Sequence, residues 1–409
     1  MNKYIINNKS INSLANLFVF LCVFVIDAMS LPLSQGVKVA LLTIVCAGVV
    51  IWDLGKRNYI EKKEFFWVIC PSVLLIITQI LSKDLALSYE SKILMMYAGY
   101  IITRRVPFDI FREKYLQIMY VICIISLVCW LLGLLGIPIW NWLPSSGAGQ
   151  YKTLFFYAFD IYKGYISERN NGPFWEPGVF QIYINIALIF LLFNKKKLNI
   201  KYLFVYLFAL ITTISTTGYV SFAIIALAYI YDKGKYIKFH HVLIILGLFL
   251  GAFYYISSNE ELYLRLFGKF EEGSSNNASF VIRVNEIAFY YEAWTSNFMS
   301  MLMGIGSTAA YEYATKLHSI ADVKFEGSTL TTMREFASFG LLFTMTRLAL
   351  MFKFFKTISE KTISSILLFI VLLLCLNTES MVYSMIFCSL FYYGIVNNNH
   401  QNRRMIMKQ

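Results

Sequence analysis

Charge is scarce in this sequence. Only 15% of its 409 residues are Asp, Glu, Lys or Arg, against roughly 25% in a soluble globular chain, which excludes an ordinary soluble enzyme. Charged tracts, a glycine period and sustained heptads are missing too, which excludes disorder, collagen and coiled coil. No internal repeat of roughly 20 to 50 residues recurs. The seven cysteines form no Cys-x-x-Cys pair and all lie inside apolar runs, so they read as packing residues rather than disulfide or zinc ligands. Phosphate-loop, His-Glu-x-x-His and Asp-x-Asp patterns are absent, so no metal or cofactor is expected. Gly304-Ile305-Gly306 followed by Ala309 spells Gly-x-Gly-x-x-Ala, but no strand precedes it, and it reads as a turn rather than a dinucleotide site.

Hydrophobic residues, in contrast, make up 58% of the chain, and the mean hydropathy is +0.60. Apolar runs at 14–31, 36–54, 65–82, 88–102, 116–137, 177–193, 201–215, 218–231, 240–257, 335–352, 363–377 and 380–396 recur at lengths near those needed to cross a bilayer of about 30 Å. The expected fold is an all-α polytopic integral membrane protein of about 12 helices, one membrane domain over 1–409. The first run lacks a small-residue cleavage site and reads as a retained helix. Several runs are short, and the Ser215-Thr216-Thr217-Gly218 break makes the separation of 201–215 from 218–231 the weakest boundary.

The formal charge of +12 follows the positive-inside rule. Lys56, Arg57, Lys62 and Lys63, then Arg104, Arg105, Arg112 and Lys114, then Lys195 to Lys197 and Lys353, Lys356 and Lys361 fall in alternate connections, which places those connections and both termini in the cytoplasm. The basic excess is therefore topology, and no nucleic acid is expected as a partner. Two longer segments, 138–176 and 258–334, then face outward as large loops, and loops of that length in a compact bundle carry function or are disordered.

The first loop ends in Glu168-Arg169-Asn170-Asn171-Gly172-Pro173-Phe174-Trp175-Glu176-Pro177-Gly178, where Pro177 suits a first helical turn. Glu176 reads blandly as a cap for that helix, and Arg169 as a lipid-headgroup contact. The second loop contributes Arg265 and Arg283 among apolar neighbours, and 279–294 reads as an interfacial amphipathic helix with Phe280, Ile287, Tyr291 and Trp294 on one face. Guanidiniums on one side of a membrane suit a phosphate or pyrophosphate, which Arg binds bidentately. His318 is the sole outward histidine and titrates near neutrality, as a general base must. Glu326, Glu176 and Glu379 compete with it, Glu379 lying near bilayer depth, where a carboxylate is expensive. Asp27 and Arg347, inside runs, read as a pathway or an internal ion pair. Trp140, Trp142, Trp175 and Tyr151 suit either sugar stacking or an aromatic membrane belt.

Together these features resemble the O-antigen polymerase (Wzy) family, related to the O-antigen ligase (WaaL) family. The likeness rests on the Arg169 to Gly178 segment, the Ser215 to Gly218 break, Arg265, Arg283, Gly304-Ile305-Gly306 and His318 ahead of Glu326-Gly327. Glu176-Pro177-Gly178 looks more like a polymerase, and Ser319 stands where a ligase more typically has Asn. The resemblance implies a metal-independent inverting glycosyltransferase of the GT-C type in the bacterial inner membrane, acting at the periplasmic face. Its substrate is then an undecaprenyl-pyrophosphate-linked oligosaccharide in the lipid bilayer, and a chain-length regulator and a flippase are its expected protein partners. By position, Arg169, Arg265 and Arg283 would bind the pyrophosphate, with His318, Glu326 and Glu176 as catalytic candidates. A ligase acting on lipid A core is the nearest rival. A lipid-linked oligosaccharide flippase or transporter is the rival of a different class, expected to place polar residues inside the bundle.

Overall fold

A computed structural model describes residues 35–55, 62–146, 151–154, 156–162, 165–194, 198–234, 277–320, 331–379 and 384–406. Backbone in hydrocarbon must satisfy its own N–H and C=O groups, so apolar runs become helices. Helices α1 (Gln35–Gly55), α2 (Lys62–Ser82), α3 (Ser88–Arg105) and α4 (Phe108–Leu134) precede the first long loop, and α5 (Pro177–Leu192), α6 (Ile200–Thr212) and α7 (Thr216–Lys233) follow it. The second loop holds α8 (Asn277–Thr295), α9 (Phe298–Met303) and α10 (Ser307–Ile320), before α11 (Thr331–Ile358), α12 (Thr362–Leu376) and α13 (Met385–Ile406). Ten of the expected runs fall on these helices, and 14–31, 240–257 and Asp27 lie outside the described residues. Glu64–Ser82, Phe108–Leu134 and Thr331–Ile358 are long and apolar enough to cross a membrane, and the helical segments at Gly36–Ile51, Pro177–Leu192, Ile200–Thr212, Thr362–Leu376 and Met385–Val396 are shorter but apolar.

The α6/α7 boundary is real. Ile214 adopts φ 47°, and Ser215 Oγ accepts the N–H of Gly218 at 3.4 Å, which starts a new helix as an N-cap does. Helix α5 lies at the centre, with every residue buried. Helix ends sort into two sets. At one end Asp232 Oδ1 accepts the N–H groups of Glu360 (2.9 Å) and Lys361 (2.8 Å), the hydroxyl of Tyr393 donates to the Val106 carbonyl, and Phe108 packs edge-on to Phe190 and Phe354. The other end carries both long loops, the α6/α7 turn and the α12/α13 connection.

The described chain is mostly helical, as expected, and its loop-bearing end adds one small sheet. Segment 138–176 holds a single 3-10 turn, Ile139–Trp142, and an antiparallel sheet of β1 (Tyr151–Leu154), β2 (Tyr157–Tyr162) and β3 (Tyr165–Ile166) in that order, with Tyr151 opposite Asp160. Tyr157 and Phe159 alternate onto one face and bury against Cys129, with Trp140 packed beside them, the period of two that a pleated surface rewards. Helix α8 does form where an amphipathic helix was expected. Its Ile287 and Tyr291 are exposed, as an interfacial face requires, but the helix is packed through the other side, with Tyr290 and Ala293 buried against Ala310, Ala314 and Ala337.

Helix α11 is broken. Gly340 has φ 75° and ψ 179°, a region essentially restricted to glycine. The Gly304 to Gly306 turn docks there: Ile305 N–H donates to Ala337 O (2.8 Å) and Gly306 N–H to Ser338 O (3.1 Å). Gly304 itself has φ 79° and abuts the Ser338 backbone. The Gly-x-Gly pattern is therefore a turn that exists to approach backbone closely, and it clasps the second loop to α11.

Candidate functional site

The geometry of a helix start builds the site at the loop-bearing end of α5. Pro177 occupies the first turn and Glu176 the N-cap position, but the Glu176 side chain makes no capping hydrogen bond. Its carboxylate turns instead toward Gly178. A Cβ on Gly178 would sit 2.9 Å from Glu176 Oε1 and closer still to Glu379 Oε1. Glycine thus leaves the space in which two carboxylates from distant parts of the chain meet. Glu379 is buried, 4% exposed, and its backbone carbonyl accepts the hydroxyl of Thr331 at 3.2 Å.

Arg169 completes the group. Its Nε donates to the Thr213 carbonyl at 3.1 Å, so the carbonyl freed where α6 ends orients the guanidinium. Burial pulls Arg169 below the usual arginine range, while Glu176, Tyr219 and Glu379 act in the opposite direction. One guanidinium therefore faces two carboxylates and a phenol at a partly desolvated helix end. The neighbouring residues fix it in place. Asn170 Nδ2 donates to Thr212 Oγ1 (2.9 Å) and Ser126 Oγ (3.3 Å), its N–H donates to Thr212 O (2.9 Å), and its Oδ1 accepts the N–H of Gly172 (2.9 Å). Trp130 Nε1 holds the Glu168 carbonyl at 2.7 Å. The sheet is fastened to the same loop, because Asn171 donates to Ala158 O and the Tyr151 hydroxyl to Trp175 O. Burial, together with Asp160 and Glu176, pushes the Tyr151 hydroxyl up to about 12, so it remains a donor at neutral pH. Below the carboxylates, α5 carries Gln181 and Asn185, fully buried, with Asn185 donating to Gln181 Oε1 (2.9 Å) and Gly218 O (3.3 Å).

Of the residues expected from sequence, Arg169 and Glu176 come together here and Glu379 joins them. Arg283 lies on α8 and His318 in the last turns of α10, helices of the second loop packed on α11, while Arg265 and Glu326 lie outside the described residues. Trp140 packs against Phe159 (5.9 Å between ring centroids) and Trp142 stands 83% exposed, the first a structural role and the second suited to an interface. Arg347 forms a buried ion pair with Glu335, the second of the two readings its position allowed.

Sequence reasoning missed Asp84, Lys92 and Glu335. Lys92 and Glu335 carried a signal, each being an ionisable residue within or at the edge of an apolar run. Asp84 did not, since the helix it caps is over 200 residues away: besides the local Ala86 N–H and Tyr89 hydroxyl, it accepts from the N–H (2.9 Å) and hydroxyl (2.8 Å) of Thr308 and the hydroxyl of Ser307 (3.1 Å), capping α10 from another loop. Burial works against that charge, but these hydrogen bonds win and hold the Asp84 carboxyl down at about 2. An open cleft of about 440 Å³ beside it is lined by Lys83, Ala86, Thr308 and Glu312. Comparison of the chain with family models, curated proteins and solved structures finds no match.

Proposed function

We propose that this chain is a membrane-embedded polymerase that joins undecaprenyl-pyrophosphate-linked oligosaccharide repeat units into O-antigen or a related surface polysaccharide at the periplasmic face of the bacterial inner membrane. The observation that carries the reading is the meeting of Arg169, Glu176 and Glu379 at the buried start of α5, on the end that the basic connections assign to the outside. In the reaction, an acceptor sugar hydroxyl attacks the anomeric carbon of the donor. The new C–O bond forms as the bond to pyrophosphate breaks, the hydroxyl proton passes to a carboxylate, and the pyrophosphate departs on its lipid with added negative charge. Glu176 and Glu379 supply carboxylates at one point for the proton. Arg169 supplies a preorganised cation for the charge. His318 and Glu326 remain alternative bases, and Arg265 and Arg283 further pyrophosphate ligands, by resemblance. A chain-length regulator and a flippase are the proposed partners.

A transporter reading has one observation in its favour: α11 is a broken helix with Glu335, Arg347 and the partly buried Lys92 around the break, and discontinuous helices bearing buried charges are a transporter feature. Gel analysis of envelope polysaccharide from a deletion strain, complemented with wild type or Arg169→Ala, separates the readings. A polymerase leaves single repeats on lipid A core in the deletion, with the ladder restored by wild type alone. Long chains persisting on undecaprenyl pyrophosphate identify a ligase. Absence of any lipid-linked repeat at the outer face identifies a transporter.

A further inference from the structure

The cleft beside Asp84 has two walls. One is the connection from α2 to α3 over Lys83 to Ala86, and the other is Ile305 of the glycine turn with Thr308, Ala309 and Glu312 of α10. Asp84 joins them. Besides its bonds to Ser307 and Thr308 it accepts the Ala86 N–H (3.1 Å) and the Tyr89 hydroxyl (3.1 Å) on its own side, and Gly306 comes so close that a Cβ there would stand 2.7 Å from Ser82 Oγ. The Asp84 carboxylate is thus saturated from within the protein, and the cleft of about 440 Å³ is held in shape before any ligand enters.

Lys83 is strained. Its φ is 53°, its N–H donates to Ile80 O (3.3 Å) and that of Asp84 to Gln79 O (3.1 Å), the pair of bonds that ends a helix through a left-handed residue and that glycine usually supplies. A side chain in that conformation costs free energy, and strain of this kind collects at ligand-binding sites. The side chain present is an exposed ammonium on the cleft lining, and Glu312 on the other wall is exposed too. Neither side chain has a hydrogen bond or ion pair among the described residues. Ser82 Oγ donates to Thr78 O (2.8 Å) and Thr308 Oγ1 to Asp84 Oδ1 (2.8 Å), so both hydroxyls can meet a ligand only as acceptors. Such a lining disfavours an anion, which Glu312 and Asp84 repel, and a metal ion, which Lys83 repels. It suits a molecule that brings its own hydroxyl protons, and Leu85, 92% exposed, offers that molecule an apolar surface.

We propose that this cleft is a saccharide-binding site, in which Lys83 donates to the hydroxyls of a sugar ring, Glu312, Thr308 and Ser82 accept from them, and the C–H face of the ring lies on Leu85. In the polymerase reading, on which the identity of the sugar rests, the ring belongs to a repeat unit engaged at the carboxylates. Helix α11 connects the two places. Thr331 donates to the Glu379 carbonyl and Ser338, further along the same helix, accepts from Gly306, which separates them by a rise of about 10 Å. An oligosaccharide of a few rings covers that distance.

The test is binding of the repeat-unit oligosaccharide, released by mild acid from the lipid-linked pool of the producing strain, to the full chain in phosphatidylcholine nanodiscs. Lys83→Gly removes the ammonium and relieves the backbone, so binding is expected to weaken by at least about fivefold while the unfolding temperature stays equal to or above that of wild type. Glu312→Gln is expected to weaken binding several-fold, and Ala309→Trp, at an exposed position of α10 on the cleft lining, to abolish it by filling the space. No binding by wild type, or wild-type affinity in all three folded variants, overturns the proposal. A lowered unfolding temperature of Lys83→Gly with full affinity overturns it too, since the lysine then serves only the dipole of α2. Binding that depends on Lys83 in a chain that never joins repeat units keeps the site and loses the polymerase reading. Joining of units by a chain whose variants bind normally does the reverse.

Discussion

Gly178→Ala isolates the carboxylate pair from the stability of the fold. Gly178 lies in the first turn of α5 with ordinary helical backbone, and alanine is the better helix former by up to about 1 kcal/mol, so the substitution has no backbone reason to unfold the chain. Its methyl group would arrive 2.9 Å from Glu176 Oε1 and nearer still to Glu379 Oε1. For ordinary contact the Glu379 carboxylate must withdraw by about 1 Å. Misplacement of a reacting group by that amount costs on the order of 10²-fold in rate. The expected result in membranes supplied with lipid-linked repeat units is a fall in polymer formation of roughly that size, with a thermal unfolding midpoint equal to or above wild type. Gly48→Ala, where nothing lies within 4 Å of the new methyl group, is the control and should leave both unchanged. Full polymer formation by a folded Gly178→Ala protein would refute the placement of Glu176 and Glu379 at the reacting centre.

Arg169→Lys keeps the charge but loses the Nε hydrogen bond to Thr213 O and the planar fork; polymer formation in the same membranes should fall by at least about tenfold, whereas a mere lipid contact would tolerate Lys. Gly340→Ala forces a side chain into φ 75° and against the backbone of Leu302 and Met303; it should destabilise by more than about 1–3 kcal/mol, read as a lower detergent-solubilised unfolding temperature with parallel loss of α8 to α10 protection in hydrogen exchange. Asp84 titrates below its unfolded value, so its contribution is complete above about pH 4 and is lost as pH falls toward 2. The unfolding midpoint of wild type should therefore drop across that window, and that of Asp84→Asn should drop less.

Much of this protein was readable in one dimension. Scarce charge and recurrent apolar runs determine a helical membrane chain, because a backbone in lipid has no other partner for its polar groups. Segment 168–178 announced itself through Arg169, Glu176 and Pro177, whose chemistry and helix-start spacing are local. Glycine turn chemistry at 304–306 was likewise local, although what the turn approaches was not. The strands at 151–166 escaped because their aromatic alternation spans only a few residues each. Which carboxylate meets Glu176 was decided by tertiary structure alone, since Glu379 lies about 200 residues away and reaches Gly178 only when the connection after α12 is folded over the start of α5. The capping of α10 by Asp84 and the ion pair of Arg347 with Glu335 across the break at Gly340 have the same origin. Hydropathy is a sum over neighbours in the chain, whereas a charge inside a bundle acquires its meaning from neighbours in space, and those are set by packing.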